Sequence, residues 1–169
     1  MHTPRSKKLL RVGLLILLGF LWLRAEAVAA ELPLAPDAWR VRPDTFAANV
    51  SRGTWQLQHH LEYIADKVER TIRKGDGRLM LWMPPRHGKS FFMSYWLPIW
   101  YLNTWPDRRV ILAAYGEEIA TEWGRRVRNE FATNPLLSTK LRDDSKAAGR
   151  WHTPEGGGMM ATGVGGALS

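Results

Sequence analysis

The residues whose types and spacing could do chemistry are concentrated in residues 84–90, PPRHGKS. Gly88 lets the backbone approach an anion with no Cβ in the way, the Lys89 ammonium can reach the outer phosphates of a nucleotide, and the Ser90 hydroxyl can ligate Mg²⁺. Arg86 adds a planar, permanently charged fork, the kind of group that stabilises charge developing on a transferred phosphoryl; its plainer alternative is a salt bridge to a neighbouring loop. His87 is expected to contribute its backbone N–H rather than its imidazole, because such loops hold phosphate with main-chain donors. The full pattern G-x-x-x-x-G-K-[ST] needs glycine at position 83, where this chain has Met83. Weight therefore passes from the motif to its surroundings.

Those surroundings must be a strand that stops at the loop and a helix that starts in it, since the first N–H groups of the helix are then unpaired and point at the anion. RLMLWM, residues 78–83, is a short apolar run bounded by a Gly-Asp-Gly turn and by prolines, and it reads as a buried strand. Residues 91–102 are apolar on every side and read as a deeply packed helix that Pro98 kinks or restarts. RVILAAY, residues 109–115, reads as a second buried strand.

Helical periods flank this unit. From Thr54 onward Leu57, Leu61, Ile64, Val68 and Ile72 recur at spacings of three and four, predicting a helix of about twenty residues closed by Gly75. His59 and His60 on that helix point about 100° apart and so do not face one metal. Over residues 117–131, Ile119, Ala120, Trp123, Val127 and Phe131 share one face, and Glu122 and Arg126 form an i,i+4 pair on another. Glu117 and Glu118 suit the first turn of that helix, where the macrodipole favours acids. Arg125, Arg126 and Arg128 make a basic edge that would touch the phosphate backbone of double-stranded DNA without base preference, or else a solvated face paired with Glu122 and Glu130. The order strand, loop, helix, strand, helix predicts an α/β fold with a parallel sheet flanked by helices. The glycine-rich tail from residue 150 reads as a hairpin or an irregular strand pair.

A chain of 169 residues with 45% hydrophobic content is long and apolar enough for one packed domain. The absence of cysteine excludes disulfides, thiolate catalysis and Cys-based zinc sites. Of the net charge of +8, the first eleven residues supply four positive charges through Arg5, Lys7, Lys8 and Arg11. An apolar run over residues 12–23 follows, then Ala27-Val28-Ala29, so residues 5–30 match the outline of a secretory signal peptide. The run is shorter than the roughly 20 residues that span a bilayer, and the competing reading of residues 9–23 is a short buried or partner-binding helix. Residues 31–53 hold three prolines and read as an extended connector, with a domain boundary near residue 50.

PPRHGKS after the run LMLWM, preceded by TWQLQHHLEYI, closely resembles the ATPase domain of the large terminase subunit of tailed bacteriophages, the motor that packages DNA into capsids. The likeness runs from about Trp39, through residues 100–129, to WHTPEGGGMMATGVGGAL, and so covers most of the chain. In that family Pro-Pro-Arg often replaces the first glycine of the loop, which accounts for Met83. The resemblance implies a partial P-loop NTPase domain over residues 51–169, preceded by an N-terminal helical segment over residues 1–50. It implies that Lys89 and Ser90 hold ATP and Mg²⁺ and that Arg86 senses the γ-phosphate. Double-stranded DNA, a portal, a small terminase subunit and, for the full-length protein, a homo-oligomeric ring are the implied partners, and the cytoplasm is the implied compartment. The family's Walker B acids and its nuclease domain follow the glycine-rich segment that resembles GVGGALS, so the chain reads as the N-terminal part of a terminase. A nucleotide-binding remnant without enzymatic activity is the main alternative, and a secreted or membrane-tethered small protein is a third.

Overall fold

The structure, a computed structural model, describes residues 37–145 and 147–164. The apolar segment of residues 9–23 and the signal-peptide-like pattern of residues 5–30 lie outside them. No helix among the described residues is long and apolar enough to cross a membrane.

A compact unit opens at Ala38, not near residue 50. Instead of an extended connector, Ala38–Arg40 form a 3-10 turn and Pro43–Val50 form helix α1. Pro43 is tolerated because the first turn of a helix has no use for its missing N–H. Phe46, Ala47 and Val50 are buried in the core, and Asp44 is buried with them because Arg42 grips its carboxylate through two bonds of 3.0 and 2.8 Å. The proline count pointed to extended chain, but the apolar face of α1 outweighs it once there is a core to bury against.

Helix α2, His59–Lys74, buries Leu61, Ile64, Ala65 and Val68, and Ile72 packs at the edge of the same core. It starts later than Thr54 because that residue closes a turn: Thr54 Oγ1 donates to the Ser51 carbonyl at 2.9 Å, and the Trp55 N–H donates to Ser51 Oγ at 3.0 Å. Leu57 consequently falls outside the helix and is exposed. Gly75 ends α2 in a left-handed conformation, φ 95°, that costs a side-chain-bearing residue more.

After the loop the chain is helical without a break from Lys89 to Thr104. Lys89–Phe91 begin helix α3, Phe92–Trp96 form a π turn, and Leu97–Thr104 form α4. Pro98 does not interrupt the helix: it stands at the second position of α4, and the π turn sits just ahead of it, where the ring of the proline disfavours regular i→i−4 spacing. Phe92, Trp96, Ile99, Trp100 and Leu102 are all buried, in keeping with the all-round apolar sequence.

The sheet is small and mixed. Strands β1, Arg109–Ala114, β2, Arg150–His152, and β3, Gly158–Gly163, lie in the order β1-β3-β2, with β1 parallel to β3 and β2 antiparallel to it. The glycine-rich tail is thus the expected hairpin. Helix α5, Glu117–Thr133, covers one face of the sheet through Ala120, Gly124, Val127 and Phe131. The other face is open: Ile111 is exposed, so β1 is half-buried rather than buried on both sides.

The largest departure concerns residues 78–83. They are extended but belong to no strand. Leu81 and Met83 pack on the core, whereas Leu79, Met80 and Trp82 are exposed, Trp82 at 83%. A ladder needs a second backbone within about 5 Å, and among the described residues β1 pairs only with β3 and nothing pairs with this run. A groove of about 420 Å³, lined by Gly77, Tyr101 and Val110–Leu112, borders both its start and the free edge of β1.

Candidate functional site

The loop that follows residues 78–83 turns sharply at Pro85 and is built from two left-handed residues. Gly88 has φ 81° and Arg86 has φ 64°. A non-glycine residue in that region is uncommon and is retained where surrounding contacts over-determine it. Here those contacts are histidines. The His87 Nδ1–H donates to the Pro85 carbonyl at 2.8 Å, and His60 Nε2–H of α2 donates to the His87 carbonyl at 3.1 Å. The two rings meet edge to face, 6.0 Å apart. His60 is therefore a brace of the loop, and the His87 imidazole braces it from within.

Beneath the loop, Trp55 stacks on Phe91 at 5.6 Å and on Phe92 at 6.2 Å. A Cβ on Gly88 would come within 3.3 Å of the Trp55 ring, so close packing and positive φ both select glycine there. Lys89 and Ser90 occupy the first turn of α3, directly after Gly88.

Pro84, Pro85, Arg86, Gly88, Lys89, Ser90, Phe91 and Trp123 enclose a pocket of about 280 Å³. Arg86, Lys89 and Ser90, singled out from sequence, are thereby brought to one cavity. Neither Arg86 nor Lys89 makes an ion pair among the described residues. Two cationic groups, a hydroxyl and a glycine-bared backbone facing one cavity can hold an oxyanion. No carboxylate lines the cavity, and no group of three His, Asp or Glu that could hold a metal occurs among the described residues.

Trp123 was assigned by spacing to the core stripe of α5, but it is only half-buried and forms the far wall of this pocket, 6.0 Å from Phe91. Its spacing of four from Val127 could not distinguish a core residue from one at the margin of the core. The basic edge beyond it divides. Arg125 and Arg126 both bond Glu122, at 3.0 and 2.8 Å, and Arg126 also lies over the Trp123 ring at 5.2 Å. The hydrogen bond from Arg126 holds the Glu122 carboxyl below its usual range. Arg128 reaches the Asn129 side-chain oxygen at 2.8 Å. These exposed pairs are worth little individually and leave the guanidiniums accessible.

Glu130, expected as a partner of those arginines, is engaged by other groups. Its carboxylate accepts the Tyr95 hydroxyl at 2.5 Å and the Asn134 amide at 2.6 Å. Burial, and then the bond to Glu130, pushes the Tyr95 phenol well above its usual value, so it stays protonated and donating. Sequence reasoning missed this trio; the only available signal was the spacing of four between Glu130 and Asn134 at the end of α5. Glu117 does occupy the first turn of α5, and its carboxylate accepts the Gly163 N–H of β3 at 2.5 Å.

Comparison with protein-family models, with curated proteins and with solved structures finds no match for this chain.

Proposed function

We propose that this chain is the ATP-binding part of a P-loop motor of the phage terminase type, which drives double-stranded DNA into capsids in the cytoplasm. The observation that carries this reading is the convergence of Arg86, Gly88, Lys89 and Ser90 on a single pocket at the start of a helix. In it, Lys89 neutralises the β- and γ-phosphates, the glycine-bared backbone donates to them, and Arg86 stabilises charge on the transferred phosphoryl. ATP fits the donor set, and Ser90 would hold Mg²⁺, which neutralises phosphate charge when bound. Arg125, Arg126 and Arg128 would contact the DNA backbone, and the portal, small terminase subunit and ring of copies remain the partners that the terminase resemblance implies.

A second reading, a nucleotide-binding remnant without turnover, is favoured by one observation: no carboxylate lines the loop pocket to activate water. Glu117, the nearest in sequence to the end of β1, is engaged by the backbone of β3.

The test is ATP binding with Mg²⁺ by titration calorimetry on the full chain, for wild type and Lys89→Ala. Binding should be lost in the variant, and hydrolysis by wild type should stay near background with or without DNA. Binding that survives Lys89→Ala would remove the nucleotide reading. Turnover lost in Glu117→Gln would overturn the assignment of that residue to the sheet and the remnant reading with it.

A further inference from the structure

The face of the sheet turned away from α5 is open. Along β1 the alternate positions Arg109, Ile111 and Ala113 are exposed, Ile111 at 66%. Parallel strands are normally covered on both faces, so an uncovered parallel pair such as β1 and β3 is a place for another surface. At one end of this face lies a cavity of about 270 Å³, lined by Arg109, Ile111, Arg150, His152, Gly158 and Met160, among others.

Strand register sets these residues in two rows. Arg109 and His152 both pair with Gly158, so a residue with no side chain separates two basic ones. In the next row Ile111 and Arg150 both pair with Met160. The result is a basic rim around an apolar centre. No carboxylate lines the cavity, and Arg109 makes no ion pair among the described residues. Asp144, the acid that acts on His152, is itself bonded to Arg142 at 2.5 Å. Burial first, then Arg142, Arg150 and Arg109, hold the His152 imidazole below its usual range. Its Nδ1 is engaged by the Ser145 hydroxyl at 2.8 Å, which leaves Nε2 to serve a ligand. Positive charge around this imidazole is therefore in excess, and an incoming carboxylate would offset it.

We propose that this sheet face docks an acidic amphipathic helix of a partner protein, whose apolar stripe lies along Ile111 and Met160 and whose Asp or Glu carboxylates meet Arg109, Arg150 and His152. The width fits: three strands at a spacing of about 4.8 Å span about 10 Å, close to the diameter of one helix with its side chains. A DNA duplex would meet the guanidiniums but offer Ile111 and Met160 no apolar surface. A second copy of this chain, with its own net charge of +8, would bring like charge to a basic rim. A carboxylate beside His152 favours the protonated imidazole, so docking takes up a proton and tightens as the pH falls.

Three probes are titrated into the full chain: a helical peptide with a leucine stripe flanked by glutamates, the same peptide with lysine in place of glutamate, and a short DNA duplex. Fluorescence anisotropy reads affinity, and methyl NMR signals of Ile111 and Met160 read the place of binding. The glutamate peptide should bind at least about tenfold tighter than the lysine peptide and shift both methyl signals. Arg109→Ala should weaken it about fivefold, the worth of one exposed ion pair. Ile111→Ser changes an exposed position that the fold tolerates, and it should weaken the peptide while leaving the duplex unchanged. Between pH 8 and pH 6 the affinity for the glutamate peptide should rise in wild type and stay level in His152→Gln. Failure of the glutamate peptide to bind, or binding that leaves the Ile111 and Met160 signals in place, overturns the proposal. So does a duplex that shifts the same methyls and loses as much in Arg109→Ala, which would make the face a surface for polyanions. Self-association of the chain that is lost in Ile111→Ser would make the occupant a second copy and overturn it as well. The same pH response in wild type and His152→Gln overturns the role of His152.

Discussion

Residues 78–83 and 109–114 are two apolar runs of the same length with the same sequence credentials, and they meet different fates. RVILAA becomes β1, with every position from Arg109 to Ala114 in register with Gly158 to Gly163. RLMLWM stays extended, sends Leu81 and Met83 inward, and leaves Met80 and Trp82 in solvent at 71% and 83% exposure. The difference lies in the neighbour. The segment Gly158–Gly163 returns beside 109–114 and offers it a backbone, whereas 78–83 is held by side-chain packing on one face and by the loop that follows it. The loop of residues 84–90 thus hangs from the less secured of the two runs, and its shape depends on contacts made from elsewhere, by His60 and Trp55.

The sharpest way to break the comparison is to remove what anchors the paired side. Trp151 of β2 is fully buried and its ring lies 5.3 Å from Phe131 of α5, so it ties the hairpin to the helix over the sheet. Trp151→Ala should cost about 3–5 kcal/mol in a urea titration, since a large cavity opens between sheet and helix. A loss below about 1 kcal/mol would mean that the sheet is not what organises this core.

A smaller effect comes from the same hairpin. Burial, followed by Arg142, Arg150 and Arg109, holds the His152 imidazole below its usual 6.5, although Asp144 pulls the other way. The unfolded chain therefore binds the proton more readily than the folded one. Stability from this residue is complete above about pH 6.5 and declines as the pH falls from there toward the lower folded value. Melting temperatures between pH 8 and pH 5 should fall less steeply in His152→Gln than in wild type. Parallel slopes would show that the imidazole is not withheld from protons by its surroundings.

The smallest effect belongs to the unpaired run. Trp82→Ser removes a large apolar side chain that touches little, and stability should change by no more than about 0.5 kcal/mol. A cost of 2 kcal/mol or more would show that the run is covered in solution, and the contrast with β1 would disappear.

Sequence by itself determined the elements whose signal is local. The three-and-four spacing of Leu61, Ile64 and Val68 marked α2, Gly75 marked its end, Pro98 marked the irregular turn of the helix after the loop, and Arg109–Ala114 marked β1 nearly to the residue. It also singled out Arg86, Lys89 and Ser90 as neighbours in one loop, and the structure places all three around a single cavity. Tertiary structure alone decided whatever required two distant segments to meet. Pairing is such a property, and identical apolar patterns in 78–83 and 109–114 could not say which would find a ladder. So is the margin of the core, where Trp123 turned out to line a pocket and α1 turned out to bury one face despite the proline that opens it. Glu130 is the clearest instance. Its charge and helical position predicted a surface ion pair, and only the approach of Tyr95, thirty-five residues away, claimed its carboxylate, because a partly buried hydrogen bond is worth forming where both partners are already held in place.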